Sequence, residues 1–246
     1  MKKLIISLFF AVQAFAEEPP LIVGTTSGYA PFVSLNAQGE YEGFDIDLAE
    51  LLAKKLSRRL VIKDCGSMPG LMLSLKQGKV DILIWAISIT EDRMKNMEMI
   101  YYQGDQETHI PILFWKTIPE GTLTLGDLAK KSICVEAGSF QESVLSFVNG
   151  ALLKYTDKVD DAILEIKYGK SLATAIDPSL VLRFTEKYPD IKVLNLPIPK
   201  EKQSFGNGIC VSKDLPHLAT QVKEAIQELR EEGKIASLEK KWRLRE

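Results

Sequence analysis

Short apolar runs alternate with segments of helical periodicity in the first part of the chain. The predicted strands are LIVGT (21–25), RLVIKD (59–64) and VDILIWA (80–86). Between them, DIDLAELLAKKL (45–56) repeats apolar residues at helical spacing, with Asp45 as a candidate N-cap, and MPGLMLSLKQG (68–78) predicts a short helix. This strand–helix alternation predicts a mostly parallel sheet with helices on its faces.

A second series of the same kind follows. Its predicted strands are IPILFW (110–115), SICVEA (132–137), SLATAI (171–176) and IKVLNL (191–196). Its predicted helices are TLGDLAKK (124–131), SFQESVLSFVNG (139–150), DKVDDAILEIKYGK (157–170) and PSLVLRFTEKY (178–188). A Pro-rich linker, a strand at 206–212 and a helical segment from about Leu215 to Trp242 close the chain.

Two α/β lobes account for this order. We expect 17–107 plus 207–246 to form lobe 1 and 111–198 to form lobe 2, with 108–110 and 199–206 as a two-segment hinge. Two crossings between α/β lobes create a cleft, and such folds bind ligands at the carboxyl ends of their strands.

The first 16 residues have the pattern of a secretory signal peptide. Two lysines precede an apolar stretch, and Ala14-Phe15-Ala16 forms a small-x-small cleavage pattern. The alternative is an uncleaved anchor. No cysteine lies at the predicted cut, so we expect a periplasmic protein without a lipid anchor.

Composition narrows the class of protein further. Lys and Arg total 31 against 33 Asp and Glu, which does not favour nucleic-acid binding. The three cysteines, Cys65, Cys134 and Cys210, lie in or beside apolar runs, which favours buried free thiols. The alternative, which the sequence also allows, is one disulfide between two of them.

Ser88 and Arg93 follow the apolar run VDILIWA, with Thr90 as a candidate N-cap between them. A hydroxyl and a guanidinium at the end of a buried strand can together hold a carboxylate, for which arginine offers two parallel donors. The alternative is a solvated arginine paired with Glu91 or Asp92.

Three further segments place candidate groups at the same edge. In EAGSFQE (136–142) a turn at Gly138 leads into a helix beginning at Ser139, and in AIDPS Asp177 separates a strand from a helix and could accept bonds from an ammonium group. Tyr29 could form an aromatic wall above an aliphatic or planar side chain. The alternatives are ordinary helix caps and packing beneath a loop.

The chain resembles the periplasmic solute-binding proteins of polar amino-acid ABC transporters (bacterial extracellular solute-binding protein family 3). The motifs that carry the resemblance are GYAPF, GEYEGFDIDLAELLAKKL, LMLSLKQGKVDILI, SITEDR, VEAGSFQE and IQELREEGKIASLEKKW. They occur in the family's order and cover essentially all of 21–243. The resemblance implies a type II two-lobed fold, a free amino acid as ligand, an ABC permease in the inner membrane as partner, a monomer and no cofactor.

The resemblance also implies roles for individual residues. Ser88 and Arg93 match the site of the α-carboxylate, and Asp177 matches the acid that binds the α-ammonium. Tyr29 and Met68 match two walls around the ligand side chain. The Ser139–Phe140 loop matches the contribution of lobe 2, with Phe140 acting through its backbone N–H.

The chain departs from the family pattern at the side-chain end of the site. Thr26 stands where relatives that bind basic ligands carry an acid, while Trp85 and Ala86 stand where small residues are usual. By the same resemblance, Glu136 matches a position that approaches the ligand side chain in similar proteins and could supply the missing acid, so the sequence leaves a basic, amide or other polar ligand open.

Two other functions fit the same fold. A periplasmic dehydratase acting on prephenate or arogenate would need a general acid or base, for which Glu136 or Asp177 could serve. His109 and His217 have no partner at motif spacing, and no metal-binding or nucleophile motif occurs. The second alternative is a ligand-sensing partner of a membrane receptor. We expect a binding protein rather than an enzyme.

Overall fold

The computed structural model describes residues 18–245, so the predicted signal peptide (1–16) lies outside the described residues. The first part of the chain contains β1 (Leu21–Thr25), β2 (Ser34–Leu35), β3 (Tyr41–Glu42), α1 (Phe44–Lys55), β4 (Leu60–Asp64), α2 (Met68–Lys76), β5 (Ile82–Leu83), α3 (Glu91–Asn96) and β6 (Met97–Gln103).

The second part begins with β7, and the chain then returns. The second part contains β7 (His109–Trp115), β8 (Ser132–Glu136), α4 (Phe140–Leu145), β9 (Leu152–Thr156), α5 (Val159–Lys167), β10 (Ala173–Ala175), α6 (Val181–Lys187) and β11 (Ile191–Pro197). The returning segment contains β12 (Asn207–Ser212), α7 (Pro216–Glu231) and α8 (Lys234–Lys241). Short 3₁₀ helices occupy Leu125–Leu128, Pro178–Leu180 and Lys200–Lys202.

Two five-stranded sheets organise these elements. The strand orders are β4-β1-β5-β12-β6 and β11-β7-β10-β8-β9. In each sheet three neighbouring strands are parallel, as the strand–helix alternation predicts. The remaining two pairs of each sheet are antiparallel, so both sheets are mixed rather than mostly parallel as the sequence predicts. The two-lobed α/β fold predicted from the sequence is confirmed.

The apolar run in β7 lies where its sheet is covered on both faces. In β7, Ile112 and Phe114 pack in one buried cluster with Val135, while Leu113 between them belongs to the other cluster with Phe184. Alternate side chains of a strand point to opposite faces, so a strand buried on both faces lacks polar alternation.

Two connections join the sheets, over 104–108 and 198–206. They are bonded to each other, since the N–H of Ile198 donates to the carbonyl of Thr108 at 2.9 Å and the Gln106 amide donates to Gln203 at 3.0 Å. The lobe boundaries given above stay predictions.

Several other predicted features can be compared with the described residues. All three cysteines are free there, with Cys134 and Cys210 buried and Cys65 half-buried. Within 18–245, no helix has the length and apolar character needed to cross a membrane.

The approach of α1 to the loop before β2 demands glycine at position 43. Gly43 has φ +136°, and a Cβ there would lie 2.0 Å from the carbonyl oxygen of Phe32. Gly39 has φ +81° but open space around its Cα.

We expect Gly43→Ala to lower the free energy of unfolding by about 2 kcal/mol or more, and Gly39→Ala by about 1 kcal/mol or less, in urea titrations. Equal losses would contradict the close contact.

Candidate functional site

One small space between the two sheets gathers the residues predicted from the sequence. The surrounding side chains nearly fill it and leave a cavity of about 10 Å³; they are Tyr29, Met68, Trp85, Ala86, Ser88, Arg93, Glu136, Ser139, Phe140, Gln141 and Asp177. All the candidate residues named above lie around it, and Gln141 is the one addition. Their roles in ligand binding remain predictions.

Arg93 connects the two lobes. Helix α3 begins after Thr90, whose Oγ1 accepts a bond from the Arg93 N–H at 3.2 Å. The guanidinium then turns back, with Nη1 donating to the carbonyl of Ser88 at 2.7 Å and Nη2 donating to the carbonyl of Gly138 at 3.0 Å. The neighbouring Asp92 forms an ion pair with Lys95. Arg93 is therefore not a solvated arginine paired with Asp92, which was one alternative from the sequence.

Aromatic side chains form one wall of the space. The ring centroids of Tyr29 and Trp85 lie 5.0 Å apart with the planes tilted by 45°. The Trp85 indole N–H donates to the carbonyl of Thr26 at 2.9 Å, which fixes the ring. Met68 is buried opposite and lies against Gly138 of lobe 2. A flat or aliphatic side chain packs favourably against walls of this kind.

Asp45 holds the turn that carries Trp85 and Ala86. Its Oδ2 accepts a bond from the Ala86 N–H at 2.7 Å, and its Oδ1 accepts one from the Tyr102 hydroxyl at 2.8 Å. Ala86 has φ +43°, a left-handed conformation that costs energy unless its surroundings hold it. Asp45 therefore acts on the site through the backbone.

The prediction of Asp45 as an N-cap is wrong. Gly43 is the N-cap of α1, and the Asp45 carboxyl is buried and turned away from the helix N-terminus. Burial raises the pKa of Asp45 to about 7, against the bonds from Tyr102 and Ala86 that lower it.

Lobe 2 contributes the start of α4. The Ser139 hydroxyl accepts a bond from the Glu142 N–H at 3.0 Å, and the Glu142 carboxylate accepts one from the Gly138 N–H at 2.6 Å. Phe140 is the first residue of the helix, so its N–H has no acceptor within it. The Phe140 ring packs in the lobe 2 core, which leaves its backbone as the part available to a ligand.

Two buried carboxyls give the space its charge. Asp177 accepts bonds from the N–H and hydroxyl of Ser179 at 2.8 and 2.5 Å, both on Oδ1. Glu136 ends β8, and burial, followed by repulsion from Asp177 and Asp157, raises its pKa to about 8. Burial also raises the pKa of Asp177. A cation entering this space would restore both carboxylates to their charged form.

A cleft between two mixed-sheet lobes, with a cation and two acids around an aromatic-walled space, is the arrangement of a protein that encloses a small charged solute. The sequence profile of the bacterial extracellular solute-binding proteins, family 3, matches residues 21–245. The chain belongs to this family, and the resemblance predicted from the sequence is confirmed.

Individual relatives agree with this membership. The probable ABC transporter arginine-binding protein ArtJ of Chlamydia trachomatis is 34% identical, over 91% of this chain and 85% of that protein. The histidine-binding periplasmic protein of Salmonella typhimurium is 29% identical, over 98% and 97%. The crystal structure of the P235GK mutant of ArgBP from T. maritima has a TM-score of 0.80 and 30% identity, over 92% and 95%.

These relatives are binding proteins rather than enzymes. The chain is therefore a solute-binding protein, and the dehydratase alternative finds no support. Nor does any group of three or more potential metal ligands occur within residues 18–245.

Asp45 makes the stability of the ligand-free protein depend on pH. Its pKa is about 7 when folded and 3.8 in the reference state, so its contribution is complete below about pH 4 and is lost as pH rises to 7. We expect the free energy of unfolding to fall less over this range in Asp45→Asn than in wild type, by on the order of 4 kcal/mol at most. Asp161→Asn, on the exposed face of α5, is the control. Urea titrations at pH 4.5 and 7 test this, and identical falls would contradict the assignment.

Proposed function

We propose that the protein binds arginine in the cleft between its lobes and delivers it to an ABC permease. Amino-acid binding for ABC import is the function common to the relatives described above, and the arginine-binding ArtJ relative supports this choice of ligand. The observation that carries the proposal is the buried Glu136, which stands at the aromatic end of the space.

Each charged group of arginine has a complementary partner in this arrangement. Arg93, Ser88 and the backbone N–H of Phe140 bind the α-carboxylate, and Asp177 binds the α-ammonium. The guanidinium lies over the wall that the rings of Tyr29 and Trp85 form together, where planar cations bind favourably, and reaches the Glu136 carboxylate. Pairing is required because an unpaired charge buried in the closed cleft would be too costly.

Glu136 replaces the acid that relatives carry at the position of Thr26. Thr26 is itself buried, and its carbonyl accepts the Trp85 indole N–H, so this position supports the wall instead of binding a charge. A carboxyl whose pKa is raised by burial regains its charge when a permanent cation lies beside it.

Histidine is the second candidate, because a histidine-binding relative matches nearly the whole chain. A free imidazole is mostly neutral at pH 7, whereas a guanidinium is always charged. Glu136 therefore favours arginine over histidine at neutral pH, and the preference should narrow as pH falls toward 6.

Closure of the lobes couples binding to transport. The bond between the Arg93 guanidinium and the Gly138 carbonyl joins the lobes at the site, and the closed form is the one that the permease recognises. The remaining parts of the proposal are export by a cleaved signal peptide (1–16), a monomer in the periplasm without a lipid anchor, and a permease in the inner membrane.

Arg93→Ala removes the cation proposed to bind the α-carboxylate. We expect the affinity for arginine to fall by about 2–5 kcal/mol in calorimetric titrations, because a buried carboxylate is left unpaired. Lys95→Ala, on the exposed side of the same helix, should bind as wild type does. Unchanged binding by Arg93→Ala would exclude this carboxylate site.

Glu136→Gln tests the side-chain specificity. Citrulline has the shape of arginine without its charge, so wild type should strongly prefer arginine. In Glu136→Gln we expect arginine to bind about 10- to 100-fold more weakly and citrulline to bind nearly as before. Glu120→Gln, an exposed acid of lobe 2, is the matched control. A preserved arginine-to-citrulline ratio would show that Glu136 does not bind the guanidinium.

A further inference from the structure

Glu107 is a half-buried acid on the first connection between the lobes, between β6 and β7. Its Oε2 atom is inaccessible to solvent and has no hydrogen-bond partner among the described residues. The same is true of the Ser204 hydroxyl on the second connection, which is completely buried. An unpartnered carboxyl oxygen at this depth is costly unless a donor joins it.

The surroundings of Glu107 belong to the ligand site. The hydroxyls of Ser88 and Ser204 lie beside its carboxyl, and the charges of Arg93 and Asp177 act on it. Glu107 and Asp177 also line the same cavity on the hinge side, and Asp177 lines the ligand space as well, so the two spaces meet at Asp177. Burial, together with Asp177, raises the pKa of Glu107 well above its usual range.

The charges around the site are unbalanced without a ligand. Arg93 is the one cation among the residues that line the ligand space, and Glu136 and Asp177 are two acids there. Glu107 adds a third acid next to them. Like charges this close and this buried cannot all be ionised without additional cations.

An α-ammonium group needs more acceptors than Asp177 offers. The group has three N–H donors, whereas Oδ1 of Asp177 already accepts two bonds from Ser179. Oδ2 is left, and the Tyr29 hydroxyl lies beside the same carboxyl. Glu107 lies near the same carboxyl and carries an oxygen that lacks a donor.

We propose that Glu107 is a second carboxyl that binds the α-ammonium of the ligand, from the hinge side and together with Asp177. This inference rests on the proposed function. It makes the first connection part of the binding site, so that the ligand contacts both lobes and the segment between them.

The test compares two ligands that differ only at the ammonium group. Arginine and 5-guanidinopentanoate share the carboxylate, chain and guanidinium, but the second has hydrogen in place of the amine. In calorimetric titrations at pH 7 we expect Glu107→Gln to weaken arginine binding about 10- to 100-fold and to change the affinity for 5-guanidinopentanoate by no more than about twofold.

Two variants serve as controls. Glu201→Gln removes an exposed acid from the second connection and should bind both ligands as wild type does. Glu107→Asp keeps the charge but shortens its reach, and we expect a smaller loss that again affects arginine alone. If Glu107→Gln does not fold, as judged by thermal unfolding without ligand, Glu107→Asp carries the test.

The outcomes separate this inference from the proposed function. Equal losses for the two ligands would make Glu107 a structural residue or a partner of Arg93, and no loss would remove it from the site. Either result overturns the inference while leaving arginine binding intact. A wild-type protein that does not bind arginine would overturn the proposed function and the inference with it.

Discussion

A charge buried between two lobes has to be paired, and this constraint governs the site. Arg93 reaches the carbonyls of both Ser88 and Gly138, so the cation is held by the two lobes at once. Around it stand acids whose burial raises their pKa values. Arg93 is the one cation among the residues that line the ligand space, and a solute that supplies further positive charge would stabilise the form that encloses it.

Hydrogen bonds to the backbone fix the conformation of the segments that carry these groups. Asp45 lies in α1, outside the ligand space, yet its bond to the Ala86 N–H fixes the turn that carries Trp85. Trp85 in turn bonds to the carbonyl of Thr26 on the next loop. A buried carboxyl in this role lowers the free energy of unfolding at neutral pH. The conformation of the turn that carries Trp85 is therefore maintained at a cost in stability.

Sequence patterns identify candidate site residues at the ends of strands. They do not identify residues that only the folded chain brings close to the site. Ser88 and Asp177 follow apolar strands and Glu136 ends one, and such ends meet at one sheet edge. Strands β6 and β9 have exposed or mixed burial patterns, so their periodicity gives no clear signal. Glu107 lies in a connection of polar residues, where only the folded chain reveals that its carboxyl is buried. Two predictions from pattern are wrong: Asp45 lies on the inner face of α1 rather than at its N-cap, and of 124–131 only Leu125–Leu128 is helical, as a short 3₁₀ turn.

Thermal unfolding of the mature protein against each of the twenty amino acids tests the central claim most directly. The protein would first be unfolded and refolded to remove carried-over ligand. A ligand at about 100 times its dissociation constant adds about 2.7 kcal/mol of stability. We expect the largest rise in Tm with arginine, a smaller one with histidine and none with glutamate. A protein stabilised by an acidic or apolar amino acid, and not by arginine, would contradict it.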